Sequence, residues 1–142
     1  YIAEAGGPGQ RTFDRKKCDV AFGLKIPSGL SVSLIDADYR GFLDLPAGAR
    51  ATFTRDYFFA GRTGPSLTKT WNGARSQDYL IRDRLGVFAN VWSPCGADVV
   101  LRSKTAATVR TQRGREALNM VDSVDLKTRT LYRYNFQYRA CR

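Results

Sequence analysis

The stretch Thr128-Arg-Thr-Leu-Tyr-Arg-Tyr-Asn-Phe-Gln-Tyr-Arg-Ala-Cys-Arg142 closes the chain. Successive side chains of a strand point to opposite faces. One face here carries Tyr132, Tyr134, Phe136, Tyr138 and Ala140, and the other carries Arg133, Asn135, Gln137 and Arg139. A period of two sustained this long excludes a helix. The stretch therefore predicts a half-buried strand whose end is tied down by Cys141. The same alternation recurs upstream. Cys18, Val20, Phe22, Leu24 and Ile26 share one parity. Ala51, Phe53, Arg55, Tyr57 and Phe59 share another, with Phe58 opposite, and Leu101 and Ser103 oppose Arg102 and Lys104. A strand holding Val32 and Leu34 slips phase near Ile35, which predicts a bulge or bend.

Turn residues punctuate these runs. Pro27-Ser28-Gly29 and Pro46-Ala47-Gly48 read as turns, and Asn72-Gly73 reads as a two-residue hairpin turn. Gly6-Gly7-Pro8-Gly9 is also a turn, because a phosphate-cradling loop needs a following helix and usually a lysine. Arg11, Arg15, Lys16 and Lys17 read as a solvated basic loop. The pattern predicts an all-β fold, an antiparallel β-sandwich or partly closed barrel of about eight or nine strands. The whole chain, 1–142, reads as one domain.

Composition narrows the chemistry. No run approaches the roughly 20 apolar residues of a membrane-spanning helix. The formal net charge is +10, from 23 Lys+Arg against 13 Asp+Glu. That favours polyanionic partners such as nucleic acid, acidic polysaccharide or anionic lipid, or serves solubility. There is no histidine. This excludes Ser-His-Asp and Cys-His catalysis and His-ligated zinc, and three widely separated cysteines do not make a zinc site. No metal or other cofactor is expected. Asp36 and Asp38 share a strand face and suggest either a cation site or a salt-bridged edge beside Arg40. Tyr1 in first place predicts a preceding segment, a signal peptide among the candidates.

Arg15-Lys16-Lys17-Cys18, Ile26-Pro27-Ser28-Gly29, Asp38-Tyr39-Arg40-Gly41, Tyr57-Phe58-Phe59-Ala60-Gly61, Trp92-Ser93-Pro94-Cys95-Gly96, Val121-Asp122-Ser123 and Arg139-Ala140-Cys141 occur in that order. Together they resemble a family of small secreted bacterial and fungal proteins classed as a domain of unknown function. The resemblance covers nearly the whole chain. It implies secretion, an all-β fold and a four-cysteine framework whose fourth member lies upstream of Tyr1. It carries no activity and no catalytic residues.

Four cysteines allow three pairings, and sequence does not choose among them. The favoured pairing joins Cys18 to Cys141, start of one strand to end of the last, although their parities differ. Cys95 is then odd, free or bound to an outside segment. The function expected is binding of acidic polymers or surfaces, with Arg102, Lys104, Arg133 and Arg139 as contacts. The alternatives are a subunit that assembles into a fibre or coat through Cys95, a secreted inhibitor, and a glycosidase. The last would use two carboxylates across a cleft, and nothing selects a pair among Glu4, Asp36, Asp38, Asp44, Asp56, Asp78, Asp83, Asp98, Asp122 and Asp125.

Overall fold

A computed structural model describes residues 1–59, 61–84, 92–96, 98–121 and 132–141, with side chains at 33–36, 84 and 132–138 left undescribed. Nine strands are seen among these residues. They are β1 (Ile2–Ala5), β2 (Phe13–Leu24), β3 (Leu30–Leu45), β4 (Arg50–Phe59), β5 (Ser66–Asn72), β6 (Arg75–Arg84), β7 (Val99–Arg110), β8 (Ala117–Val121) and β9 (Tyr132–Ala140). All pairings are antiparallel. One sheet runs β1-β8-β3-β6, with β9 also on β3; the other runs β2-β7-β4-β5. The two pack as a sandwich and do not close into a barrel.

β3 organises the five-stranded sheet. It pairs with β6 over Asp36–Leu45, with β8 over Gly41–Asp44 and with β9 over Leu30–Tyr39. The phase slip at Ile35 is a bulge: Leu34 faces Phe136 and Asp36 faces Asn135, leaving Ile35 extra. The register sets Tyr132 and Tyr134 of the closing strand opposite Tyr39 and Ala37. Its predicted start, 128–131, and Arg142 lie outside the described residues.

β4 shows the alternation most fully, with Ala51, Phe53, Arg55, Tyr57 and Phe59 buried. They meet Tyr39, Leu43, Trp71, Tyr79, Leu101 and Val109 in the core. Phe53 packs edge-on against Tyr39 at 5.2 Å between centroids, and Trp71 lies 4.7 Å from Tyr79.

Two local readings change. Asn72-Gly73 is not a hairpin, because β5 and β6 belong to different sheets and the chain crosses between them there. Gly73 is needed because a Cβ would collide with the carbonyl of Pro46. The basic stretch Arg15–Lys17 is not a loop but the first half of β2. The positions there in phase with Cys18 and Val20 are Asp14 and the exposed Lys16, an ion pair at 3.6 Å, so apolar periodicity gave no strand signal. Charges on an edge strand also discourage pairing with another chain.

Candidate functional site: the outer face of the four-stranded sheet

In β7 the buried and exposed side chains alternate, so Leu101, Ser103 and Thr105 go inward and Arg102 and Lys104 outward. Antiparallel partners share a face, and the register therefore lays the outer surface out in rungs. Phe13, Arg110, Arg50 and Asn72 form the first. Arg15, Thr108, Thr52 and Thr70 form the second, and Lys17, Ala106, Thr54 and Thr68 the third. Asp19, Lys104, Asp56 and Ser66 form the fourth, and Ala21, Arg102 and Phe58 the fifth. Rungs two residues apart are spaced about 7 Å, so five of them extend over about 27 Å.

Every rung carries at least one cation: Arg50 and Arg110, then Arg15, Lys17, Lys104 and Arg102. All six are exposed, and two carboxylates, Asp19 and Asp56, interrupt them on the fourth rung. Threonine hydroxyls pair across the strands, Thr52 with Thr108, and Thr54 with Thr68 at 3.3 Å. The small side chain of Ala106 leaves a basin of about 110 Å³, walled by Arg15, Lys17, Asp19, Thr54, Asp56 and Lys104. The two aromatic rings are capped by cations. Arg110 lies 4.9 Å over Phe13, and Lys104 lies 5.6 Å over Phe58.

A family model described as "Domain of unknown function (DUF4360)" matches residues 1–141. The chain belongs to that family. An uncharacterized secreted protein of Arthroderma benhamiae is 34% identical over 140 residues, 96% of this chain and 57% of the relative. The chain thus spans a little over half of that relative's length. A solved structure of TmCBM61 in complex with β-1,4-galactotriose superposes at a TM-score of 0.34 and 10% identity, over 89% of this chain and 64% of its own. That likeness is too loose to bear on fold or ligand. No helix among the described residues is long and apolar enough to cross a membrane.

Of the four cations singled out in this DUF4360 chain, Arg102 and Lys104 lie on this face. Arg133 and Arg139 belong to β9 in the other sheet. The side chain of Arg133 is outside the description, and Arg139 stacks 3.9 Å over Trp92. The larger part of the charge on the β2–β7–β4 face was missed, because Arg15 and Lys17 read as loop and Arg50 and Arg110 sit at strand ends. Asp38 stands in register with Arg82 of β6 and Arg133 of β9, in the interior of the sheet and not at an edge. The side chain of Asp36 is not described.

The cysteine pairing is also different. Cys95 joins Cys141, with Cα atoms 6.0 Å apart, and Cys18 is the free thiol. Cys18 points inward from β2 in the four-stranded sheet, whereas Cys141 follows β9 in the other. The loop at Cys95 is docked instead on the β3–β9 end: Ser93 N donates to Val32 O at 2.8 Å, Gly96 N to Leu30 O at 2.9 Å and Cys141 N to Gly29 O at 2.8 Å. An assembly route through Cys95 loses its thiol.

A buried polar cluster ties the sheets together. Arg55 of β4 grips Asp83 of β6 with two donors, Nε at 3.0 Å and an Nη at 2.6 Å. Tyr57 also donates to Asp83. One proton serves one acceptor, so the Tyr39 hydroxyl, 2.7 Å away, donates to Tyr57, and Ser103 Oγ continues the chain 3.4 Å beyond. Burial pushes Tyr57 far above the usual tyrosine range, with the charge of Asp83 and the neighbouring Tyr39 adding to it. Burial pulls Arg55 down, but its bond to Asp83 outweighs this and leaves it above the ordinary value. Asp83 is thus engaged in holding the fold. Asn119 makes a second tie, donating to the carbonyls of Thr52 at 3.0 Å and Thr108 at 3.2 Å across the sandwich.

Proposed function

We propose that this chain is a secreted, non-catalytic binding domain whose outer β2–β7–β4–β5 face holds an extended acidic polymer. The observation that carries this is the cation on every rung of that face. A polymer lying along the strands meets a positive charge at about 7 Å intervals. Arginine supplies four of the six, and its planar fork suits carboxylate or sulfate oxygens. Hydroxyls of Thr52, Thr54, Thr68, Thr70 and Thr108 add neutral donors and acceptors between the charges. The secreted character of the Arthroderma benhamiae relative agrees with a polymer met outside the cell.

The test is retention on immobilised acidic and neutral polysaccharides under a salt gradient. The wild-type chain should be held by acidic polymers and released as salt screens the contacts. Arg15→Gln, Lys17→Gln and Arg110→Gln together should elute at much lower salt. Equal retention of this triple variant and the wild-type chain would remove the proposal.

A further inference from the structure

Resting on that reading of the face, we infer that its ligand is a hydroxyl-rich, uronate-type polysaccharide, with one sugar unit seated over Ala106. The fourth rung decides this. Lys104 stands between Asp19 and Asp56, each directly across the strand from it. Cross-strand neighbours on one face are close enough to interact, so that rung is negative on balance. A polymer whose steps offer only phosphate or sulfate at that rung would press an anion against those carboxylates, and like-charge juxtaposition opposes binding. A sugar hydroxyl donates to a carboxylate in a charge-assisted bond. The uronate carboxylate meanwhile meets Lys17 on the third rung and Arg15 on the second. The basin over Ala106 borders both kinds of group, with Asp19 and Asp56 on one side and Arg15 and Lys17 on the other. Single-stranded nucleic acid is disfavoured for a second reason. Its binders stack bases on open aromatic rings, and here Phe13 and Phe58 lie under Arg110 and Lys104.

The experiment measures affinity for polygalacturonate, heparin and single-stranded DNA in calcium-free buffer. It compares the wild-type chain, Asp19→Asn with Asp56→Asn, Asp19→Asn alone, and Ala106→Leu, with thermal melts to confirm folding. Removing both carboxylates raises the charge of the face by two, yet should weaken polygalacturonate at least tenfold, since bonds to charged groups are lost. The same change should tighten heparin and DNA. Asp19→Asn alone should shift affinities in the same directions by less, and Ala106→Leu should weaken polygalacturonate while sparing heparin. Tighter binding of all three polymers by the carboxylate variants would overturn the uronate inference and leave the acidic-polymer reading standing. No binding of any polymer by the wild-type chain would overturn that reading itself.

Discussion

Removing Asp83 should destabilise the sandwich more than removing any surface charge. Arg55 is 5% exposed and Asp83 3%, and their bidentate contact joins β4 of one sheet to β6 of the other. In Asp83→Leu the guanidinium remains buried without its counter-charge, and Tyr57 loses the acceptor of its proton. Breaking one side of a buried pair costs about 3–5 kcal/mol. Replacing both sides with apolar residues is commonly neutral or stabilising, because the desolvation of two charges is also removed. The double variant Arg55→Met with Asp83→Leu should therefore recover most of the loss. Urea unfolding followed by tryptophan fluorescence reads both. With a slope of about 1–3 kcal/mol per molar urea, the single variant should lower the midpoint by at least about 1 M. A single-variant loss below about 1 kcal/mol, or a double variant no more stable than Asp83→Leu, would show that the pair does not hold the sheets as described.

Other outcomes follow from the same structure. Tyr57 stays protonated in the fold while its unfolded counterpart ionises near pH 10, so the folded state binds one more proton above that pH. Stability should be indifferent to Tyr57 below about pH 10 and fall by about 1.4 kcal/mol per unit above it; Tyr57→Phe should show a shallower alkaline decline in unfolding titrations. Gly41→Ala places a Cβ against the Tyr79 ring and the Met120 carbonyl, and should cost about 1–3 kcal/mol as overpacking, read as a lowered urea midpoint. The Cys95–Cys141 link spans 46 residues, so Cys141→Ser should lose about 4 kcal/mol on the chain-entropy model. Cys18→Ser should change stability by less than about 1 kcal/mol, and non-reducing peptide mapping should find Cys18 alkylated.

The strands were legible wherever one face is buried. The alternation of Ala51 to Phe59 and of Leu101 to Lys104 names the correct inward residues, and the slip at Ile35 marks the bulge. Periodicity failed where an edge strand has no apolar inner face, as with Asp14 and Lys16 at the start of β2. It also carries no information on which strands pair. Among the described residues, β4 and β5 alone of consecutive strands form a hairpin, so Asn72-Gly73 misled: a turn dipeptide marks a reversal but not the sheet that the chain enters next. The same ignorance of partners misassigned the disulfide, since Cys18 and Cys141 prove to lie on opposite sheets. It also grouped Arg102 and Lys104 with Arg133 and Arg139. A polar cluster such as Arg55, Asp83, Tyr57 and Tyr39 leaves only one sign in the sequence, a charged residue at an apolar position of β4, and its partner is 28 residues away.

Heteronuclear NMR titration with a polygalacturonate oligomer locates the binding face directly. Amide shifts should concentrate at Arg15, Lys17, Lys104, Ala106 and Thr54, fade as salt is added, and leave Arg139 and Trp92 unmoved. Shifts centred on the β9 end of the five-stranded sheet, with the β2–β7–β4 face silent, would contradict the assignment of function to that face.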